Sequence, residues 1–296
     1  MKKVVGIIGA SGLVGSALAM HYEKQGWEVI RYSRQPRSIA GQEWRMVDAS
    51  SLAGLDVVIN LAGDRIDKRW TEANKQSFYE SRVEQTRALG RYLEELSVEQ
   101  RPSVWMNASA VGIYGDRGDE WLDEDSESGR GYLAELVEAW EAAVYESELE
   151  EVRRVTPRIG VVLGARSPAW NKMAQVFRVG LGGRLGDGSQ YFPWIHIQDL
   201  VEAWYFLSVQ SEASGVYNMV SPEPVKNCEF TRMLSERIKL PAIFPVPRWV
   251  LRVALGEFSS ALLASLRVKP RKLEALNYSW RYGQLPLALK ALISTK

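Results

Sequence analysis

Cysteine is nearly absent from these 296 residues: Cys228 is the only one. An intramolecular disulfide is therefore excluded, and a reducing, cytoplasmic setting is expected. Histidine is almost as scarce, with His21 and His196 far apart and nothing resembling zinc-ligand spacing, so no metal chemistry is expected. No apolar run approaches the roughly 18 residues needed to span a bilayer, and the amino end enters a strand with no separate apolar leader. An excess of one charge is missing as well. Lys plus Arg number 37 and Asp plus Glu 36, a net charge of +1, which gives no electrostatic case for nucleic acid or a membrane as partner. What is present is ordinary globular composition, 46% hydrophobic and 25% charged. The length predicts two domains, or one large core with an appended lobe.

The first fifteen residues organise the rest. Val4 to Ile8 reads as a buried parallel strand, followed by glycines at 9, 12 and 15 and a helical stripe of Leu13, Ala17, Leu18 and Tyr22. In this pattern Gly9 permits a tight turn, Gly12 lets the backbone approach a pyrophosphate, and Gly15 lets helix and strand pack closely. The backbone of Ser11, Leu13 and Val14 then surrounds phosphates at the positive end of a helix dipole. A glycine turn without ligand is the bland alternative, and the strand–turn–helix context favours a dinucleotide.

Glu28 to Ser33 reads as the second strand, ending Tyr32-Ser33-Arg34 with Arg37 close by and no acid. An acid there would accept from the ribose 2′-hydroxyl of NAD, whereas Ser33 and Arg34 suit a 2′-phosphate. NADP(H) is the cofactor expected, with a solvated surface arginine as the alternative. Residues 45–48 read as a third strand with Asp48 placed for an adenine amino group. Residues 56–63 read as a fourth, whose exit Leu61-Ala62-Gly63 runs along the dinucleotide. Thr71 caps a helix reaching about Leu96, with Arg82 the odd member of an apolar stripe. Residues 104–109 form a fifth strand ending at Asn107, Ala108 and Ser109, the first two also assigned to the cofactor. The acidic loop 116–127 reads as a solvated face. A helix from Tyr132 and a strand from Val155 to Leu163 complete an α/β, doubly wound parallel sheet of Rossmann type.

Beyond Gly164 the rhythm changes. Residues 180–188 form a glycine-rich loop without strand or helix on either side, and 191–197 are extended around Pro193. Asp199 and Glu202 suggest a capping box for a helix to Val209, and 216–220 return as a strand. The expected division is a dinucleotide-binding core of 1–164 with 197–220, and a small substrate-binding lobe of 165–196 with 221–296. Asn171, Lys172 and Met173 either border a cleft or mark an exposed helix start. Tyr114 either lines that cleft or fills it, and Trp194 is placed among its substrate contacts. His196 reads as structural in preference to a base. Most of the 11 tryptophans read as packing, with Trp121, Trp170 and Trp249 the ones to inspect as cleft walls.

Arg69-Trp70-Thr71, Ser81-Arg82-Val83-Glu84, residues 108–115, Arg158 to Gly164, loop 180–188 and residues 194–200 together resemble the extended short-chain dehydrogenase/reductase superfamily. The similarity runs over nearly the whole chain, most closely to the epimerase-family branch that includes short-chain dehydrogenase family 39U. It implies a Rossmann core, NADP(H), and oxidoreductase or epimerase chemistry on a carbonyl or nucleotide-sugar type of small molecule. It also implies Ser109 and Tyr132 as catalytic residues, with a lysine four positions after the tyrosine. Leu136 stands there instead, and no lysine occurs between Lys75 and Lys172. Arg82, where the superfamily commonly has an asparagine, is the cation expected near Tyr132 and Ser109. The alternative is an NADPH-binding regulatory protein with little turnover. Oligomeric state is open, a homodimer among the options.

Overall fold

The computed structural model describes residues 2–34, 37–39 and 42–294. A nine-stranded sheet contains β1 (Val4–Ile8), β2 (Glu28–Tyr32), β3 (Arg37–Ile39), β4 (Gln42–Arg45), β5 (Val57–Asn60), β6 (Val104–Asn107), β7 (Ser109–Ala110), β8 (Arg153–Ile159) and β9 (Gly215–Met219). Across the sheet the order is β3-β4-β2-β1-β5-β6-β8-β9, with β7 also paired to β8. Every pairing is parallel except β3 with β4. Because β2 and β5 flank β1, the chain's winding reverses between β1 and β5, and a crevice opens at their carboxyl ends.

Continuous apolar strands are explained by cover on both faces. Val5, Ile7, Val57, Ile59, Val104 and Met106 point into one cluster, while Val58 and Trp105 point into another. On the first side, α1 (Leu13–Lys24) brings Leu18 and Tyr22 against Leu200 and Trp204 of a later helix. On the second, Leu89 and Leu93 pack with Val144. Those last three belong to a long helical stretch, α2 (Glu72–Tyr79) and α3 (Gln85–Glu94), and to α4 (Tyr132–Tyr145). Between α2 and α3 the ladder widens into a π-helical turn, Glu80–Glu84.

Three sequence expectations shift. The third strand ends at Arg45, in register with Tyr32, instead of running over 45–48. Asp48 caps the short helix Ala49–Leu52: its Oδ1 accepts from Ser51 N at 2.9 Å and Ser50 Oγ at 2.6 Å. The cap engages one oxygen of an exposed carboxylate, so it does not displace the adenine role expected of Asp48. The strand expected over 155–163 divides at Gly160, where a Cβ would lie 2.9 Å from the Pro193 carbonyl oxygen; Val161–Leu163 then pairs with Trp194–His196. Finally, the helix Ile197–Val209, α6 after α5 (Pro168–Arg178), is capped by His196 and not by Asp199, with Nδ1 accepting from Gln198 N at 3.3 Å.

A second apolar core gathers Leu163, Trp170, Phe177 and Trp194 with Phe230, Leu234, Leu285 and Leu289. The glycine loop is backbone-packed: Gly186 N donates to Val246 O at 2.8 Å, and a Cβ on Gly183 would sit 1.7 Å from Phe244 O. Among the described residues no helix is long and apolar enough to cross a membrane.

Candidate active site

The crevice at the β1/β5 switch begins with Gly9 at φ +84°, a backbone angle that side chains resist. Its turn closes through Gly12 N donating to Gly9 O at 3.0 Å. A Cβ on Gly15 would lie 2.3 Å from that same carbonyl oxygen, so only glycine lets α1 approach so closely. Gly12 is the helix N-cap, makes no side-chain cap, and no acid sits in the first turn. The positive end of α1, with Leu13 and Val14 at its start and Ser11 exposed before it, faces the crevice.

At the adenosine end of such a crevice, β2 leads into Ser33 and an exposed Arg34. Ser33 N donates to Arg45 O at 2.8 Å, which sets the backbone of a second exposed arginine, Arg45, against the end of β2. That placement depends on strand register and leaves no local mark in the sequence. The Arg37 side chain lies outside the described residues.

Opposite α1, the exit of β5 is gripped by the π-turn. Ser81 Oγ accepts from Asp64 N at 2.9 Å, and Arg82 Nη2 donates to Asp64 O at 2.9 Å. The extra residue of a π-turn re-aims the side chains after it, and here it lays the Arg82 guanidinium along Gly63 and 5.4 Å over the Trp140 ring. Arg82 Nη1 is buried and has no hydrogen-bond partner among the described residues. Behind Leu61 and Ala62, Asn60 Nδ2 donates to Asn107 Oδ1 at 2.7 Å, and Asn60 Oδ1 accepts from Ala62 N at 3.1 Å. Asn107 also donates to the Ala108 carbonyl at 3.0 Å. Both Asn107 and Ala108 are buried and brace the crevice floor from behind.

Tyr132 opens α4 and is half-buried. Its hydroxyl donates to the Lys75 carbonyl at 3.2 Å, Trp70 meets its ring edge-on at 5.1 Å, and Lys75 Nζ lies 4.9 Å from the ring centroid. Burial pushes the phenol up; Lys75 and then Arg82 pull it down, while Glu257 and Glu72 push it up again. The net direction is upward, so Tyr132 is a neutral phenol at neutral pH. Two cations thus face it, and Lys75, 57 residues earlier, is the one sequence reasoning overlooked.

Ser109 opens β7, 2% exposed, and its hydroxyl donates to Glu141 Oε1 at 2.5 Å. Glu141 also takes two bonds of 2.8 Å from Arg158. Arg158 Nη1 continues to Tyr114 Oη at 2.9 Å. Tyr114 is 0% exposed, its hydroxyl 2.8 Å from both the Asp123 carbonyl and Asn218 Oδ1. Of its two readings, filling holds and lining a cleft does not. Trp194, 1% exposed in the second core, is likewise corrected from substrate contact to packing, and Trp170 joins it there. Asn171 is exposed and Met173 half-buried on α5, where Lys172 reaches Asp67 at 2.8 Å across from the β5 exit. Trp121 and Trp249 are exposed. His196 is a buried cap stacked 4.1 Å from Tyr282, and burial lowers its pKa to about 4.

A doubly wound sheet with this glycine crevice defines a Rossmann-type nucleotide-binding architecture. The chain belongs to the NAD dependent epimerase/dehydratase family, whose match covers residues 5–219. Residues 246–292 match a domain of unknown function, DUF1731. Epimerase family protein Mb2239 of Mycobacterium bovis is 36% identical over 293 residues, 97% of this chain and 96% of that protein. Mouse epimerase family protein SDR39U1 is 36% identical over 299 residues, 99% of this chain and 100% of that protein. Among solved structures, human SDR39U1 isoform 2 with NADPH superposes with a TM-score of 0.91 at 32% identity, covering 99% of this chain and 100% of that one.

Proposed function

We propose that this chain binds NADP(H) and reduces a carbonyl group of a small molecule, with Tyr132 as proton donor. The observation that carries the cofactor reading is the cradle. Gly15 leaves no room for a Cβ against Gly9, and the uncapped start of α1 faces the space in front. Gly9 to Gly15 would hold the pyrophosphate. Ser33, Arg34 and Arg45 would hold a 2′-phosphate by charge-assisted hydrogen bonds, and the unpartnered Nη1 of Arg82 would donate beside Gly63. The binding of NADPH by human SDR39U1 supports the same choice. When bound, the nicotinamide supplies a hydride.

A neutral phenol with Lys75 and Arg82 near it supports the reductive direction. A protonated Tyr132 gives a proton to a developing alkoxide, as reduction requires. An epimerisation that begins by oxidising an alcohol needs the phenolate first. Ser109 directs its proton to Glu141 and Tyr132 directs its own to the Lys75 carbonyl. Ser109 is buried and Tyr132 only half-buried, which favours Tyr132, with Arg82 near it, as the group that turns to a substrate oxygen. Incubation with NADPH and a panel of aldehydes, ketones and keto-sugars tests this. Loss of NADPH absorbance with one substrate class, falling at least about 100-fold in Tyr132→Phe, is expected for a general acid.

A second reading, a regulatory protein that binds NADPH with little turnover, is favoured by one pair of observations: the raised Tyr132 pKa and the Ser109 hydroxyl engaged by Glu141. Stabilisation by NADPH without consumption across the whole panel would select it.

A further inference from the structure

We infer that Lys75 takes the place of the absent helical lysine, tuning Tyr132 from α2, and that Glu257 is the counter-charge restraining it. The inference rests on the reductase reading of Tyr132. Four contacts carry it. Lys75 Nζ lies 4.9 Å from the Tyr132 ring centroid, and the phenol hydroxyl donates to the Lys75 carbonyl, so one residue fixes both the ring and the charge beside it. Lys75 Nζ ion-pairs with Glu257 Oε2 at 2.9 Å and, more loosely, with Glu72 Oε1 at 3.6 Å.

Glu257 lies in the helical turn Gly256–Phe258, far along the chain. Phe258 meets Trp70 at 6.0 Å, and Trp70 meets Tyr132 at 5.1 Å, so turn, indole, phenol and ammonium form one packed unit. The charged groups facing the phenol are Lys75 and Glu72 from α2, Arg82 from the π-turn and Glu257 from the distant turn. Glu257 holds the Lys75 pKa up, which keeps the ammonium charged.

In the reduction, the Tyr132 O–H bond breaks and the proton passes to the substrate oxygen. The bonding pair stays on the phenolate, the hydride having come from the reduced nicotinamide, and water later restores the proton. The phenolate is the charge that a nearby ammonium stabilises. Glu257 weakens that help because its negative charge beside the ammonium offsets part of the field at the phenol.

The test needs no turnover. In protein labelled at Cζ of tyrosine, Tyr132→Phe identifies one carbon resonance among 12 tyrosines, and its titration is followed by NMR. Lys75→Met is expected to raise the Tyr132 midpoint and Glu257→Gln to lower it, each by about half to one pH unit. Lys75→Arg is expected to keep the wild-type midpoint. A midpoint unmoved in Lys75→Met overturns the inference. Should Lys75→Met fail to fold, Glu257→Gln decides alone, since its residue is half-exposed at the surface: an unmoved or raised midpoint overturns. Shifts as expected in a chain that never consumes NADPH would sink the reductase reading only, and turnover with unmoved midpoints would sink this inference only.

Discussion

A methyl group at position 15 has nowhere to go. The Gly9 carbonyl oxygen would be 2.3 Å from it and the Ala10 Cα 2.8 Å, both backbone atoms that move only with the turn itself. Gly15→Ala should therefore push α1 away from β1. A loss of about 1–3 kcal/mol in urea unfolding is expected, the range for overpacking a tight site, together with at least about tenfold weaker NADPH binding by titration calorimetry. An unchanged affinity would mean the cradle is not where phosphates sit. At this scale the sequence was most legible where chemistry is local. Glycine spacing declares a backbone approach, and Ser33-Arg34 declares a phosphate preference. It was least legible at Tyr114 and Trp194. Whether a large aromatic lines or fills a cavity depends on neighbours such as Asn218, 104 residues away from its hydroxyl partner.

Elements add a second layer, seen best in the first turn of α6. His196 caps it and Asp199 follows three residues on, its carboxyl accepting from Arg281 N at 2.8 Å and Tyr282 N at 2.9 Å. Burial lowers His196 to about 4 and raises Asp199 to about 6. These shifts oppose each other in pH. The depressed histidine contributes stability above its ordinary value of 6.5, lost as pH falls toward 4 because the unfolded chain takes up the proton first. The raised aspartate does the reverse: its stabilising, protonated form is present below 3.8 and lost as pH rises through 6. Between pH 7 and 5 the two offset. His196→Asn keeps a capping acceptor and removes one side of the balance. The variant should gain about 1 kcal/mol of stability between pH 7 and 5, on the scale of 1.4 kcal/mol per pH unit, while the wild type stays flat. Urea midpoints at the two pH values measure it, and parallel behaviour of both chains would refute the opposition. A capping box was read from Asp199 and Glu202 because the motif is local; the histidine won because Asp199 was claimed by the segment at 281–282. The π-turn was invisible for a similar reason. Arg82 looked out of place in a regular stripe, and the extra residue that turns it toward Gly63 leaves no mark in a 3.6-residue pattern.

At the scale of the molecule, sheet order and not sequence proximity assembles the crevice. Winding that reverses at β1 brings residues 9–15, 33–34, 45, 61–63 and 82 to one edge. Lys75 reaches Tyr132 through α2 packing, so the search for a lysine downstream of the tyrosine could not find it. Such an edge makes whole-chain stability a reporter of cofactor choice. A ligand held only by the folded form adds RT ln(1 + [L]/Kd), about 2.7 kcal/mol at 100 times Kd. At roughly 2 °C per kcal/mol for a chain near this size, NADPH should raise the melting temperature by about 5 °C at that concentration. NADH lacks the 2′-phosphate, and loss of two charge-assisted bonds, each about 1.5–3 kcal/mol, should leave it with a small fraction of that shift at equal concentration. Arg34→Ala should narrow the gap, and Arg34→Ala with Arg45→Ala should close it, since Arg45 stands beside the same strand end. Both side chains are exposed, so the apo melting temperature should barely move. Equal shifts from NADPH and NADH in the wild type would strip both arginines of their assigned role while leaving the glycine cradle untouched.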